Sequence, residues 1–355
     1  MTTTPALNLE QASAQSLASG AAGTALLHIE KALTGTGTWA AAKAAIARTA
    51  AAPVDAGPHT GLYYGAPALA FLLHAAGADG HPRYQAAVRL LDEHVHRITR
   101  QRLATASARM ERGDAAMFAE YDLFYGLTGI GALLLRTAPG SDTLADVLRY
   151  VISLAGPRVL DGLEVPGWWV GHDPDPLLPT PGGHANNGMA HGAAGLLAFV
   201  SLATLKGCDV AGQPDAIAYL CGWFDRWQQD SADGPWWPKW ITRTDLGTGR
   251  SSQEGPERAS WCYGATGIAR ALQLAALATG DNTRQASAEH TLAACLTGRG
   301  LARVIDAGLC HGLAGVYQTA IRAAEGALSS TISQRLPALA ASLAAGSDAG
   351  LLTGC

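Results

Sequence analysis

The chain has 355 residues, of which 48% are hydrophobic and 15% charged, and its formal net charge is −4. This length suits one large domain or two ordinary ones, the hydrophobic content argues against disorder, and the absence of a basic run argues against nucleic-acid binding. Six cysteines without regular spacing argue against a disulfide scaffold in a chain of this size.

The N-terminal residues, Met1-Thr2-Thr3-Thr4-Pro5, lack the charged and apolar regions of a signal peptide. No uncharged apolar stretch reaches the roughly 18 residues that a transmembrane helix needs. We therefore expect a cytoplasmic protein without a transmembrane helix, whose reduced thiols are available to a metal.

A glycine motif, roughly G-x-x-x-G-x-x-G followed by apolar residues, recurs along the chain. The aligned glycines are Gly20, Gly65, Gly126, Gly192, Gly264, Gly312 and Gly354. Self-similarity of this kind predicts a repeat architecture, with insertions of variable length between the units.

Each motif leads into a segment with helical periodicity. After Gly129, for example, Ile130, Leu133 and Leu134 follow at i, i+3 and i+4. The segments between motifs, such as 38–52 and 84–102, also have helical character but carry more charge. Helices that are apolar all round are typical of buried positions, and amphipathic ones of outer positions.

This alternation predicts an all-α fold, an α/α toroid in which about seven helical hairpins form an inner and an outer ring. We expect a single domain over residues 1–355, with the residues just before each glycine converging on one central mouth. The chain ends at Cys355, where the seventh inner helix should begin. Either the polypeptide is truncated, or the ring closes without that helix.

Two long segments interrupt the repeats, at residues 157–187 and 230–258. The first is rich in proline and glycine, and the second contains Trp236, Trp237 and Trp240. Long loops in compact domains are usually functional or disordered. Since both lead directly into a motif, we expect them to line or cover the mouth.

Cys262 and Cys310 occupy equivalent repeat positions, two residues before Gly264 and Gly312, and His311 follows Cys310. Adjacent Cys and His alone would be weak evidence for a metal site, and buried structural residues are the alternative. The equivalence favours Zn²⁺ bound by two thiolates and one imidazole, with a fourth position open. Cys208, Cys221 and Cys295 are expected to be inert.

Four further residues near the motifs are candidates with structural alternatives of their own. His191 precedes Gly192 and could serve only to hydrogen-bond a neighbouring motif. Asp122 could be a favourable residue at a helix N-terminus, Arg258 a surface charge, and Tyr263 a core aromatic residue.

The motifs Trp261-Cys262-Tyr263-Gly264, Cys310-His311-Gly312 and Ala190-His191-Gly192, together with the recurrent glycines, resemble those of the lanthionine synthetase C family, the LanC cyclases. The resemblance extends from Leu17 to Gly354. It implies an α/α toroid of seven hairpins around a central zinc. Position by position, it implies the zinc ligands Cys262, Cys310 and His311, and the active-site residues His191, Asp122, Arg258 and Tyr263.

The reaction implied by this resemblance is addition of a peptide Cys thiol to dehydroalanine or dehydrobutyrine, which forms a lanthionine or methyllanthionine thioether ring. Zinc coordination deprotonates the thiol, and an acid must protonate the resulting enolate. We assign His191 to that acid, or to a base that takes the thiol proton. Asp122 would orient His191, and Arg258 would stabilise the enolate oxygen.

The resemblance also implies partners and a location. The substrate would be a dehydrated precursor peptide with its leader, supplied by a separate dehydratase because no dehydratase region precedes the first repeat. A transporter complex is a further expected partner. The location would then be the cytoplasm, with peripheral membrane association through that complex.

Three other functions are compatible with parts of the sequence. A prenyltransferase-like toroid also activates a peptide thiol on zinc, but it needs a basic, aromatic-lined diphosphate pocket, and no Lys/Arg cluster lies near these motifs. A zinc hydrolase would be expected to carry H-E-x-x-H, which is absent. A LanC-like binding protein or a metal-stabilised scaffold is favoured if zinc is absent or if a fourth protein ligand closes the site.

Overall fold

The computed structural model describes residues 14–175 and 177–346. Its α-helices are α1 (Ala21–Leu33), α2 (Trp39–Thr49), α3 (Ala66–Ala76), α4 (Gln85–Glu111), α5 (Phe118–Tyr121), α6 (Leu127–Thr137), α7 (Asp142–Leu154), α8 (Ala193–Leu205), α9 (Gln213–Trp227), α10 (Arg243–Thr248), α11 (Ala265–Thr279), α12 (Asn282–Cys295), α13 (Gly298–Leu301), α14 (Leu313–Ala324) and α15 (Leu336–Gly346), the last preceded by a 3₁₀ turn, Ser333–Arg335. The predicted all-α class is confirmed.

Six helical hairpins follow one another in the described residues. Each pairs an inner helix (α1, α3, α6, α8, α11 or α14) with the outer helix of its hairpin (α2, α4, α7, α9, α12 or α15). Consecutive inner helices also pack against each other along the series. The predicted seventh hairpin, with Gly354 and Cys355, lies outside the described residues.

The inner and outer helices differ in burial as the sequence pattern predicts. In inner helix α8, 10 of 13 residues are buried. Outer helix α2 buries only one stripe, Ala42, Ala45, Ile46 and Thr49, at the spacing of one helix face. The outer helix predicted at 84–102 is longer in the structure, because no glycine interrupts α4 before Gly113.

Every inner helix begins immediately after an aligned glycine, and that glycine provides no side-chain cap. In four motifs, the amide three residues after this glycine donates to the carbonyl four residues before it. The pairs are Gly23 to Ser16, Gly129 to Asp122, Gly267 to Ser260 and Gly315 to Gly308, at 3.2–3.4 Å. The turn thus satisfies an amide that a helix N-terminus otherwise leaves unpaired.

The second glycine of these motifs is required by close packing within the turn. A Cβ atom at Gly129, Gly267 or Gly315 would lie 2.0 Å from the carbonyl oxygen three residues before the first glycine. No side chain fits at that distance, so the G-x-x-G pattern follows from the geometry of the turn.

Short strands, which the sequence does not predict, organise the two long loops. They are β1 (Pro157–Leu160), β2 (Leu163–Pro166), β3 (His184–Asn186), β4 (Gln229–Ser231), β5 (Gly234–Trp236) and β6 (Trp240–Thr242). The pairs β1–β2 and β4–β5 are local hairpins, whereas β3 pairs antiparallel with β6, with Ala185 opposite Ile241. The two loops are therefore joined to each other just before the fourth motif.

The apolar side chains form two clusters. The larger one runs from Ala22 to Ala288 and includes Trp168, Trp169 and Trp227. The smaller one, around Leu292, Val316 and Ala320, belongs to the last described hairpin and to the helices that contact it.

Candidate functional site

Backbone hydrogen bonds join neighbouring motif turns at the N-terminal ends of the inner helices. The Leu123 amide donates to the Ala190 carbonyl at 3.0 Å, Ala190 to Cys262 at 3.3 Å, and Cys262 to Cys310 at 3.1 Å. Since these residues lie two or three positions before their aligned glycines, the repeat brings equivalent positions side by side. The chemistry-bearing side chains of successive motifs therefore meet at one mouth.

Cys262, Cys310 and His311 form a compact group in which the candidate ligand atoms all lie within 4.8 Å of one another. Cys262 is buried, whereas Cys310 and His311 are partly exposed. In a tetrahedral site with Zn–S bonds of about 2.3 Å, ligand atoms are roughly 3.5–3.8 Å apart. The donor set and its spacing therefore fit Zn²⁺ after small side-chain movements, and its exposed side leaves room for a fourth ligand.

The Cys262 thiol differs electrostatically from the other buried thiols. A hydrogen bond with the Cys310 thiol, together with the Ser260 hydroxyl and the charge of His311, lowers the pKa of Cys262 to about 6 despite its burial. By contrast, burial raises the pKa of Cys221 and of Cys295 to about 11. Thiolate is the form of cysteine that binds metals. The structure favours thiolate at Cys262, within the group of Cys262, Cys310 and His311, which we call the metal group.

Asp122 and His191 form a second pair at the mouth. The Asp122 carboxylate is fully buried, and its Oδ2 lies 2.5 Å from Nδ1 of His191. Its Oδ1 accepts from the amides of Tyr125 and Gly126 at 2.6 and 2.9 Å. Asp122 therefore caps its own motif and also orients the imidazole of the next motif. A role only as a helix N-terminal residue, the structural alternative from the sequence, accounts for the contacts of Oδ1 but not for the contact of Oδ2 with His191.

Aromatic rings enclose the His191 imidazole, which is 20% exposed. The rings of Phe118 and Phe124 lie nearly parallel to it, with centroids 5.1 and 5.3 Å away. The Tyr121 hydroxyl donates to the His191 carbonyl at 2.9 Å. His191 is thus held in one orientation with one edge accessible. Nothing in the motif alignment marks Phe118, because it lies in α5, outside the repeat.

Tyr263 connects the thiol group with the Asp122–His191 pair. Its ring centroid lies 6.0 Å from that of His191, and it directly follows Cys262. Burial raises the pKa of Tyr263, as do the nearby charges of Cys262 and Asp122, while the neighbouring Asn186 side chain opposes the shift. Its hydroxyl is therefore a neutral hydrogen-bond donor at physiological pH.

Arg258 lies at the edge of the group, 41% exposed, with Nη1 3.5 Å from Oδ2 of Asp306. The same carboxylate oxygen lies 3.6 Å from Nε2 of His311. Asp306 is six residues before Gly312, the position that Arg258 occupies before Gly264, but the sequence analysis does not name it as a candidate.

Arg258 also lines a cleft next to Tyr263 and Gly264. Arg299 and Arg303 line the same cleft, together with Trp236 and Trp237 from the second loop. The expectation that no basic residues cluster near the motifs is therefore wrong, because residues distant in sequence supply them. Two acidic residues, Asp233 and Glu257, share the lining and reduce its positive charge.

The two long loops contact the mouth through β3 and the residues that follow it. A Cβ atom at Gly188 would lie 2.4 Å from the Cys262 carbonyl oxygen. The Asn187 amide donates to the carbonyl of Lys239 from the second loop at 2.9 Å. Residues of both loops thus pack beside the fourth and fifth motifs.

Among the described residues, no helix is both long and apolar enough to cross a membrane. The longest, α4, has 27 residues but carries charged side chains along its length.

Comparison with known proteins agrees with the fold and with the motifs. In structure, the chain is similar to one described as "Nisin cyclase", with a TM-score of 0.77 and 18% sequence identity over 95% of this chain and 82% of that one. At this identity the likeness establishes the fold, an α/α toroid. None of the curated proteins matches the sequence. The family model described as "Lanthionine synthetase C-like protein" matches residues 11–351, nearly the whole chain, and the protein therefore belongs to the lanthionine synthetase C-like family.

Proposed function

We propose that this protein is a zinc-dependent peptide cyclase, which adds Cys thiols of a dehydrated precursor peptide to its dehydroalanine or dehydrobutyrine residues. The proposal rests above all on one observation. In a member of this family, a Cys₂His group that fits zinc lies at the same mouth as a buried Asp122–His191 pair.

Cys262, Cys310 and His311 would hold the metal. Zinc bound there would supply Lewis acidity at its fourth position, which lowers the pKa of a substrate thiol. The low pKa of Cys262 supports this assignment, because the protein already favours thiolate at that place.

The Asp122–His191 pair would handle the proton. Asp122 accepts from Nδ1–H of His191, which leaves Nε2 as the nitrogen available to the substrate. When the substrate sulfur bonds to the β-carbon, the alkene π electrons move into the carbonyl and form an enolate. Nε2 of His191 would take up the proton that the substrate thiol loses and then deliver it to the α-carbon, so the product has the same mass as the reactant.

Arg258 and Tyr263 are the candidates for stabilising the developing enolate oxygen. Tyr263 lies close to His191, and its raised pKa keeps its hydroxyl as a donor. Arg258 offers a permanent positive charge at the edge of the metal group. Charge placed where the transition state becomes negative typically contributes about 3–4 kcal/mol per donor.

The family also supports the remaining predictions about biological context. We infer that the precursor peptide carries a leader and that a separate dehydratase supplies it. Location in the cytoplasm, with a transporter complex as membrane partner, stays a prediction. Co-purification with the precursor peptide and dehydratase from the native host tests this context.

The function is tested by incubating the purified protein with a dehydrated precursor peptide and zinc, then alkylating the remaining thiols with N-ethylmaleimide. A cyclase leaves the peptide mass unchanged and removes alkylation sites, one for each ring. Cys310→Ala is the matched control and should lose both zinc and activity. If wild-type protein with bound zinc leaves every peptide thiol open to alkylation, the cyclase proposal is refuted.

The cleft lined by Arg258, Arg299, Arg303 and two tryptophans favours one alternative, alkylation of a peptide thiol by an isoprenoid diphosphate. In that reaction the peptide gains the isoprenoid mass and diphosphate leaves. The same assay with farnesyl diphosphate and a Cys-containing peptide distinguishes the two functions, because only cyclisation is mass-neutral. The two acidic residues in the cleft disfavour diphosphate binding, so cyclisation is the function we prefer.

A further inference from the structure

We propose that Asp306 is a positioning residue of the metal centre, whose carboxylate orients the His311 imidazole and the Arg258 guanidinium together. The inference rests on the proposed function, and it adds a residue that the sequence analysis does not name, at the motif position equivalent to that of Arg258. Its first support is one carboxylate oxygen of Asp306 that lies near both Nε2 of His311 and Nη1 of Arg258.

The backbone of the last motif fixes Asp306. Its Oδ1 accepts from the Gly308 amide at 2.9 Å, and its own carbonyl accepts from the Leu313 amide at 2.9 Å. At Gly312, a Cβ atom would lie 2.1 Å from Oδ1. The carboxylate is therefore part of the turn that begins α14, and it cannot rotate away without breaking that turn.

The second oxygen, Oδ2, faces the site. It lies 3.6 Å from Nε2 of His311 and 3.5 Å from Nη1 of Arg258, and the Asp306 side chain is 36% exposed. A carboxylate on the Nε2 side leaves Nδ1 as the nitrogen to face the two thiols. Carboxylates that contact a ligating imidazole in this way fix its tautomer and raise its basicity, and their loss typically costs 10–100-fold in metal affinity or activity.

Asp122 provides an internal precedent for this arrangement. Its Oδ1 caps its own motif by accepting from the amides of Tyr125 and Gly126, while Oδ2 contacts His191. Asp306 likewise uses Oδ1 for its motif turn and Oδ2 for a histidine of the mouth. The two aspartates stand at different distances from their glycines, so the likeness is one of geometry and appears only in the folded chain.

Asp306→Asn tests the proposal, because the amide oxygen can still accept from Gly308 while the negative charge is lost. We expect zinc affinity, measured by competition with a chromophoric chelator, to fall 10–100-fold. The absorption spectrum of the Co²⁺-loaded protein should also shift, since the ligand field at His311 changes. At saturating zinc, kcat for cyclisation should stay below that of wild type, because Arg258 has lost its anchor.

Asp281→Asn is the matched control. Asp281 also caps a turn, accepting from the Arg284 amide at 2.9 Å, and its Oδ2 lies 3.6 Å from Nε of Arg284, outside the metal group. This variant should keep wild-type zinc affinity and Co²⁺ spectrum. An equal loss in both variants would show a general charge effect and overturn the proposal.

Other outcomes separate this inference from the proposed function. If wild type binds zinc and cyclises peptide while Asp306→Asn matches its zinc affinity within twofold and its Co²⁺ spectrum, the role at His311 is refuted and the function stands. Full recovery of kcat by excess zinc would refute the role at Arg258. If wild type binds no zinc, both the inference and the proposed function fail.

Discussion

Cys262 and Cys295 are both buried thiols in helical surroundings, yet their acidities are shifted in opposite directions. Burial alone raises the pKa of Cys295 to about 11. At Cys262, the Cys310 thiol, the Ser260 hydroxyl and the charge of His311 outweigh burial and bring the pKa to about 6. Reactivity at the residue scale is therefore decided by neighbours from another motif.

This contrast predicts an order of alkylation in the metal-free protein. At pH 7, iodoacetamide should label the Cys262–Cys310 pair before Cys221 or Cys295, because only the pair contains a thiolate at that pH. The labelling rate should fall as the pH decreases through about 6. Peptide mass mapping measures the order, and zinc should protect the pair. Labelling of Cys295 at the same rate as the pair would contradict the prediction.

Asp122→Asn separates the two tasks of this residue. The amide can still cap the turn at Gly126, so thermal stability and zinc content should stay close to those of wild type. Cyclisation should slow by about 10²-fold or more, because His191 loses the partner that sets its tautomer. Single-turnover kinetics of cyclisation provide the measurement. Activity within threefold of wild type would show that His191 needs no orientation from Asp122.

The sequence predicts the residues that directly precede the aligned glycines, and it misses Phe118, which lies outside the repeat, and Asp306, which lies further from its glycine. Cys262, Cys310, His311 and His191 stand one or two residues before aligned glycines, so their meeting follows from the repeat. Phe118 lies in a one-turn helix between repeats, and nothing in the linear sequence places it against His191. Contacts of this kind depend on how far a connecting segment folds back over the mouth.

At the scale of single elements, the motif turn is held by its second glycine. A Cβ atom at Gly267 would lie 2.0 Å from the Trp261 carbonyl oxygen and 3.3 Å from Cβ of Met189. We expect Gly267→Ala to lower the free energy of unfolding by about 2 kcal/mol or more, since backbone must move.

Gly222→Ala, in outer helix α9, is the control for that substitution. Nothing lies within 4 Å of a Cβ atom there, so alanine should be neutral or stabilising by up to about 1 kcal/mol. Urea unfolding of both variants provides the comparison. Equal stability of the two variants would show that the close approach in the turn is easily relieved.

Strand β3 contains a histidine whose burial links stability to pH. His184 is fully buried, and burial, reinforced by nearby His172, lowers its pKa to about 4. The unfolded chain, with a pKa near 6.5, binds the proton more readily than the folded chain between these values. Stability is therefore lost as the pH falls from about 6.5 to 4, and this group accounts for about 3 kcal/mol of it.

His184→Phe should flatten this part of the pH–stability profile, because phenylalanine keeps an aromatic ring and cannot titrate. Urea unfolding from pH 7 to pH 4 measures the slope. His290→Gln removes an exposed imidazole on outer helix α12 and should keep the wild-type slope. An unchanged slope in His184→Phe would locate the acid sensitivity elsewhere.

The strands show where prediction of elements from sequence fails. The inner helices follow from glycine spacing, and the outer helices α2 and α4 from periodicity, because their hydrogen bonds are local. Strands β3 and β6 have three residues each and form only because the two loops meet, although Asn186 and Trp240 are 54 residues apart in sequence. His184 lies opposite Thr242 at one end of the pair, and Asn186 lies opposite Trp240 at the other. No local pattern encodes such a pairing.

At the scale of the whole molecule, the metal group joins two parts of the hydrophobic interior. Cys262 precedes α11, which packs largely within the main cluster, whereas Cys310 and His311 precede α14, whose Val316 and Ala320 belong to the smaller one. A metal bound by all three residues would tie the last described hairpin to the preceding one. Organisation of residues 1–355 as a single domain stays a prediction.

Removal of zinc should therefore loosen one end of the molecule before the other. We expect amides of α14 and α15 to exchange hydrogen faster in the metal-free protein, while those of α6 and α8 stay unchanged. A ligand at 100 times its Kd stabilises by about 2.7 kcal/mol, so the melting temperature should also rise with added zinc. Hydrogen exchange measured by mass spectrometry tests this, and uniform acceleration along the chain would contradict it.

Each motif turn contains positions that hold the backbone and positions that supply side chains to the site. The glycines and the backbone hydrogen bonds to the next turn hold the main chain, and none of these contacts involves the side chains one or two residues before each aligned glycine. Ala190 and Cys262, for example, occupy the same place and make the same backbone contacts to their neighbours. We therefore expect that new chemistry can arise by point substitution at these positions while the backbone frame stays the same. Placing a cysteine at position 190 would test how freely this frame accepts another ligand.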